Sequence, residues 1–204
     1  MLVLGLTGGI ACGKSNVSRI LRGLGAFIVD GDELSRRLTA PGGEALPDIR
    51  TTFGDGVFLA DGHLDRKALG RIVFADPTAL EKLNGIMRAR LRALIRAEMR
   101  LAEAAGAAVC VLDMPLLYEE ELDRWCDRVW CVTVPEAVQL RRLAERDGLS
   151  AEEARQRIAS QLPTAEKAAR ADVVIDTDRP PEETEALIPA LWARELALID
   201  KEAD

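Results

Sequence analysis

Five short apolar runs punctuate the chain, at Leu2 to Leu6, Ala26 to Asp30, Ala108 to Asp113, Arg128 to Val134 and Asp172 to Asp176, each suited to a strand buried on both faces. Between them the apolar positions switch to a helical period. After the first run, Val17, Ile20, Leu21 and Leu24 recur at i, i+3, i+4 and i+7, and Gly25 can end the helix. Strands that alternate with helices predict an α/β fold with a parallel sheet covered on both faces.

Two helical stretches exceed what that alternation needs. The first, from Glu33 to about Gly106, contains the turn-rich FGDGVFLADGHLDR and then a long helix opening at Pro77, in which Leu80, Leu83, Met87, Leu91 and Leu94 form an apolar stripe. Arg88, Arg92, Arg96 and Arg100 occupy its other side, either as a solvated face or as a row whose first members meet an anionic substrate. The second stretch runs from Pro135 to about Arg170. Gly148 stops one helix there, Ser150 to Glu153 reads as a capping box for the next, and Pro163 limits it, so a hinged helical pair is expected. Arg142 and Arg146 share a face of the first helix, with Arg141 alongside and Arg157 on the second. These arginines either converge on phosphate or belong to a surface laced with Glu145, Glu152 and Glu153.

The chemistry begins between the first strand and the first helix. Gly8, Gly13, Lys14 and Ser15 fit G-x-x-x-x-G-K-[ST], a spacing in which backbone N–H groups wrap a polyphosphate at a helix N-terminus. Lys14 would neutralise the β- and γ-phosphates, and Ser15 would offer its hydroxyl to Mg²⁺. Gly8, Gly9, Ile10, Ala11, Cys12, Gly13, Lys14, Ser15 and Asn16 are therefore the expected nucleotide-binding set. The second strand leads into Asp30 and Asp32 at the carboxyl edge of the sheet, where open α/β folds bind ligands. Asp32 is either a base for an attacking hydroxyl or the N-cap of ELSRRL. Asp113 closes the third strand in the manner of a Walker B aspartate, as a Mg²⁺ residue or simply as the strand end. The N-K-x-D and D-x-x-G segments that a GTPase switch requires are absent, which leaves phosphoryl transfer beneath an arginine-bearing lid as the leading class.

Composition narrows the setting. The 204 residues suit one domain, and a formal charge of −7 gives no general attraction to nucleic acid or anionic membrane. The first strand starts without a charged-then-apolar leader, and no apolar run approaches the ~20 residues of a membrane span, so a cytoplasmic protein is expected. Cys12, Cys110, Cys126 and Cys131 form no C-x-x-C pair and are expected to be reduced. Cys12 stands beside Lys14 and a helix N-terminus, both of which lower a thiol pKa, so it is either a redox residue or simply a small residue filling its position. Cys110 and Cys131 read as strand-core residues, His63 as a surface turn residue, and Trp125, Trp130 and Trp192 as packing residues.

Taken in order, LTGGIACGKS, VDGDELSRRL, GDGVFLADGHLDRKALGRIVFADP, DMPLLYEE, RRLAERDGLSAEEARQRIASQ and ADVVID resemble successive blocks of the dephospho-CoA kinases, from Met1 to about Asp178. That resemblance implies the P-loop kinase fold in one domain: a sheet core of residues 1–32, 107–134 and 171–204, a helical acceptor-binding region of 33–106 and a lid of 135–170. It also implies transfer of the ATP γ-phosphoryl group to the 3′-hydroxyl of dephospho-CoA, with Mg²⁺ as companion. Asp32 matches the family's general base, Lys14 and Ser15 its phosphate and Mg²⁺ residues, and Arg142 and Arg146 its lid arginines. Arg66 falls in the DGHLDR block, and Leu116, Leu117 and Tyr118 lie in the PLLYE block that shapes the acceptor side.

The chain departs from the family at two places. Arg88 and Ala89 replace a customary His-Pro, so Arg88 either supplies charge to the acceptor or marks a straighter helix. VIDTDRPP replaces an Asn-x-Gly turn near the adenine, around Thr177 and Asp178. From the residues alone, a kinase for a nucleoside monophosphate or another small alcohol, and a nucleotide-gated binding protein, remain the alternatives.

Overall fold

The computed structural model describes the backbone of residues 1–202 and the side chains of residues 1–197. The elements run β1 (Leu2–Gly8), α1 (Lys14–Gly23), β2 (Phe27–Asp30), α2 (Gly31–Leu38), α3 (Leu46–Phe53), α4 (Arg66–Ala75), α5 (Pro77–Ala104) and β3 (Val109–Asp113). They continue with β4 (Arg128–Thr133), α6 (Glu136–Asp147), α7 (Ala151–Ala159), α8 (Thr164–Arg170), β5 (Val173–Asp176) and α9 (Pro181–Glu202). All five expected strands are present, in one parallel sheet of order β2-β3-β1-β4-β5. After β1 the chain builds to one side through β2 and β3, then crosses to β4 and β5 on the other. The crevice at the carboxyl end of β1 is therefore a topological switch point, where such sheets take their ligands.

By compactness the chain parts into residues 1–29 with 99–204, and residues 30–98. The first unit holds the sheet. β1 and β3 are covered on both faces, which explains why their sequences run apolar rather than alternate. Leu4, Leu6, Val17, Leu21, Trp130 and Ile175 are fully buried there, and α9 adds Ile188 and Trp192. A buried carboxylate fixes α9 on the sheet: Glu195 accepts a hydrogen bond from Trp130 Nε1 at 2.9 Å and pairs with Arg128 at 3.3 Å. Trp125 is half-buried.

In the second unit Leu38, Ile49, Val57, Leu69 and Val73 make a separate core. The predicted stripe of α5, Leu80, Leu83, Met87, Leu91 and Leu94, packs against it. α5 runs unbroken through Arg88 and Ala89, where the family's His-Pro is absent.

The region after β4 differs from the helical pair expected from sequence. The capping box forms, with the Ser150 hydroxyl accepting from the Glu153 N–H at 3.2 Å and the Glu153 carboxylate accepting from the Ser150 N–H at 2.9 Å. Gly148 closes α6 at φ 64°. However, α7 already ends at Ala159, and Pro163 begins a third helix instead of limiting the second. Proline lacks the N–H that a helix interior needs but suits a helix entrance, so it divides the segment into two helices. The third helix, α8, packs against β1 and β4 of the sheet, which a two-helix reading of the segment had missed.

Candidate active site

β1 delivers the chain into the glycine loop and α1 receives it. Gly8 stands against β4, where an added Cβ would lie 2.4 Å from the Val132 carbonyl oxygen. Gly13 is the N-cap of α1 at φ 83°, without a side-chain cap, and no acidic residue occupies the first turn. The loop thus leaves the N-terminal amides and positive dipole end of α1 to a ligand rather than to the protein's own side chains. Lys14, the first helical residue, forms an ion pair with Asp113, the last residue of β3. The pairing follows from sheet register, because β1 and β3 are neighbours with Leu6 opposite Asp113. Both side chains are largely buried, 13% and 5% exposed, so the pair is charge-balanced away from bulk water. Ser15 is exposed.

Four side chains outside the motif hold the loop. Gln139 of α6, 3% exposed, donates from Nε2 to the Ile10 carbonyl at 2.7 Å. Gln161, between α7 and α8, accepts from the Ile10 N–H at 3.1 Å. Thr177 donates to the Cys12 carbonyl at 2.7 Å. Arg142 donates to the Ala11 carbonyl at 3.0 Å and to the Thr177 carbonyl at 3.1 Å. Gly9 completes the arrangement, because a Cβ there would come within 2.3 Å of Thr164 Oγ1 and 2.5 Å of Gln139 Nε2. Thr177 accordingly serves the loop from the segment that replaces the family's turn. Of these four, Arg142 had been singled out as a lid arginine, and the glutamine in RIASQ lay within a family block. Gln139 and Thr177 belong to no recognisable local pattern.

A second anchoring point lies in the segment after β3. Lys167 of α8 is completely buried, donates to the Pro115 carbonyl at 2.6 Å and pairs with Glu119 at 2.7 Å. Glu119 also accepts from the Leu162 N–H at 2.9 Å, and Pro115 accepts from the Thr7 hydroxyl at 3.3 Å. This lysine fixes the segment directly following Asp113. Lys167→Met removes a charged donor while keeping volume, leaving Glu119 and the Pro115 carbonyl short of a partner, and should cost about 2 kcal/mol. At roughly 2–4 °C per kcal/mol for a chain of this size, calorimetry should find Tm lower by about 4–8 °C. An unchanged Tm would show that the buried pair contributes nothing net.

At the other edge of the sheet, the structure settles which aspartate caps α2. Asp30 is the N-cap, and its carboxylate accepts from the N–H groups of Asp32 at 2.9 Å and Glu33 at 3.0 Å. Asp32, two residues into α2, is exposed, and its carboxylate makes no hydrogen bond or ion pair among the described residues. The capping reading of Asp32 is thereby corrected. Asp32 complements the N-terminal dipole of α2 as a first-turn carboxylate, but it does not cap the helix.

Several expected placements change. Arg142 reaches the loop, while the Arg146 guanidinium forms a two-pronged pair with Asp147 at 2.8 Å and is 62% exposed. That guanidinium holds the Asp147 carboxyl below its usual range. Leu117 and Tyr118, expected to shape the acceptor side, are interior residues at 0% and 5% exposure, while Leu116 is half-buried. The Leu117 side chain occupies the space beside Gly5, and Arg170 stacks over the Tyr118 ring at 3.9 Å. These contacts hold the two side chains inside, which the apolar letters alone left open. Within the helical unit, Arg66 donates to Thr39 Oγ1, and partial burial together with neighbouring Arg36 lowers its pKa. A partly buried guanidinium beside a second one favours an anionic ligand. Arg88 lies midway along α5, 3.4 Å from Glu81. His63 is an exposed turn residue paired with Asp61 at 3.0 Å.

Cys12 fits the reading of a small residue filling its position rather than a redox thiol. The thiol is 1% exposed, and burial raises its pKa despite Thr164, Gln139 and Arg142 nearby. Burial likewise pushes Cys110 up to about 11, and Cys126 and Cys131 up to about 12. All four cysteines are unpaired. A thiol reagent at pH 8 should therefore modify native protein far more slowly than guanidine-unfolded protein at every cysteine; fast labelling of Cys12 in the native state would contradict this.

Among the described residues no group of three or more His, Cys, Asp or Glu side chains is placed to hold a metal ion, and no helix is long and apolar enough to cross a membrane. The dephospho-CoA kinase family description matches residues 2–182. A dephospho-CoA kinase of Geobacter sulfurreducens is 49% identical over 196 residues, covering 95% of this chain and 98% of the relative. A Thermus thermophilus crystal structure superposes with a TM-score of 0.77 at 32% identity, covering 95% of this chain and 97% of the other. A dephospho-CoA kinase structure from Campylobacter jejuni gives 0.69 at 26% identity, covering 96% and 97%.

Proposed function

Because the chain belongs to the dephospho-CoA kinase family and therefore makes CoA from dephospho-CoA with ATP, we propose how its own residues divide that work. The loop from Gly8 to Asn16 takes the triphosphate on its backbone amides, and Lys14 exchanges its contact with Asp113 for the β- and γ-phosphates. Asp32 accepts the proton of the ribose 3′-hydroxyl. That oxygen bonds to the γ-phosphorus as the bond to the bridging oxygen of ADP breaks. Support for this role comes from Asp30, which caps α2 and leaves the Asp32 carboxylate uncommitted.

Mg²⁺ suits the donors present, an exposed serine hydroxyl at the start of α1 and a strand-end carboxylate. Ser15 and Asp113 would hold it, and its chemistry is to neutralise phosphate charge. A site that also counts phosphate oxygens and water needs no three-residue protein cluster. Arg142 stands on the loop as a charge for the nucleotide side, and Arg146 on the same helix supplies a second guanidinium when the lid, within residues 135–170, closes. Arg66 and Arg88 attract the acceptor's phosphates, and Leu116 lines its approach. The four free thiols fit the reducing cytoplasm, and the whole chain acts as one catalytic domain.

The deciding experiment is coupled ADP release over a panel of acceptors: dephospho-CoA, nucleoside monophosphates and simple sugar alcohols. Release should depend strongly on dephospho-CoA and yield CoA. Equal release without an acceptor, or preference for another alcohol, would overturn the assignment.

A further inference from the structure

Ile10 is the one residue of the phosphate loop whose backbone N–H and carbonyl are both bound by side chains, and the two side chains come from the segment after β4. Gln139 Nε2 donates to its carbonyl at 2.7 Å, and Gln161 Oε1 accepts from its N–H at 3.1 Å. These bonds fix the peptide planes on either side of Ile10. The next residue, Ala11, has φ 60°, a left-handed conformation that a residue with a Cβ adopts only when its surroundings hold it there. Its carbonyl is held in turn by Arg142 at 3.0 Å. Released from these contacts, Ala11 would relax to negative φ and turn the following amides away from the position where phosphate must lie.

We infer that Gln139 and Gln161 are positioning residues for phosphoryl transfer, a clamp on Ile10 that keeps the phosphate loop in its binding shape. They touch neither the reacting atoms nor the acceptor; they act through the loop backbone. The inference rests on the loop being the triphosphate site. It also gives the segment from α6 to α8 a task beyond carrying arginines: because Gln139 lies on α6 and Gln161 between α7 and α8, the loop is held by the helices that follow β4.

The clamp is tested with Gln139→Leu, Gln161→Leu and the double variant, using Gln156→Ala on exposed α7 as a control. Steady-state kinetics are measured separately for ATP and dephospho-CoA, with Tm recorded for each protein. Each single variant should raise KM for ATP about tenfold and lower kcat, with KM for dephospho-CoA changed less than about twofold, as expected when one aligned hydrogen bond to the loop is lost. Since both glutamines hold the same residue, the double variant should lose clearly less than the product of the two single losses. Losses that multiply, a KM for ATP that stays at the wild-type value while only Tm falls, or equal increases in both KM values would each overturn the clamp. Gln161 is only half-buried, so its variant decides the KM comparison if Gln139→Leu does not fold. A wild-type chain without dephospho-CoA-dependent turnover would instead overturn the assignment of the loop, and the clamp with it.

Discussion

Lys14→Ala should lower kcat/KM by about 10³-fold or more, corresponding to at least about 4 kcal/mol of lost transition-state stabilisation. Phosphoryl transfer asks a protein mainly for alignment and charge neutralisation, and this ammonium is the only lysine in the loop that the motif aims at the β- and γ-phosphates. The pairing of Lys14 with Asp113 sharpens the expectation. Lys14 is already ordered against Asp113 rather than waving in solvent, so little side-chain entropy is lost when it turns to phosphate. Single-turnover kinetics at saturating ATP separate the loss of chemistry from weaker binding. If kcat/KM fell less than about tenfold, the loop would be a binding feature without a part in transfer. Removing Lys14 also leaves the Asp113 carboxylate, 5% exposed, without that cation, so Tm should fall in the absence of nucleotide.

Asp32→Asn should lower kcat by about 10²–10³-fold while leaving KM for ATP and Tm close to wild type. The stability half of this expectation comes from geometry. The Asp32 carboxylate makes no capping contact, whereas Asp30 holds two N–H groups at the start of α2. Asp30→Ala therefore serves as the opposite case, costing about 1 kcal/mol of stability through the lost cap. A pair of kcat and Tm measurements on the two variants distinguishes base from cap. Near-normal kcat in Asp32→Asn, or a fall in Tm without a fall in kcat, would remove Asp32 from the chemistry.

The boundary between what was legible in the letters and what was not follows the range of the interactions. Five apolar runs, the glycine loop, the capping box at Ser150 and the stripe of α5 are local patterns, and each formed where its pattern lay. Asp32 could be read from the letters as a base or as a cap; that Asp30 holds the cap instead depended on where β2 released the chain into α2. Leu117 and Tyr118 carried apolar letters in a loop-like block, and only the space beside Gly5 and the guanidinium of Arg170 explain why they turn inward. For Cys12, neighbouring positive charge and the helix end argued for a reactive thiol, but burial outweighed both.

The amino-acid sequence by itself determined the strands, the order of the motifs, the phosphate loop and the family, because these depend on residues a few positions apart or on motif order along the chain. Tertiary structure alone decided that Lys167 is buried beneath the segment after β3, that Lys14 meets Asp113, and that Gln139, Gln161 and Thr177 hold the loop, the Lys14 and loop contacts spanning separations of 99 to 165 residues. Those partners are chosen by strand order and by which helix packs over the carboxyl end of β1. A hydrogen bond between distant residues leaves no periodic trace in a single sequence.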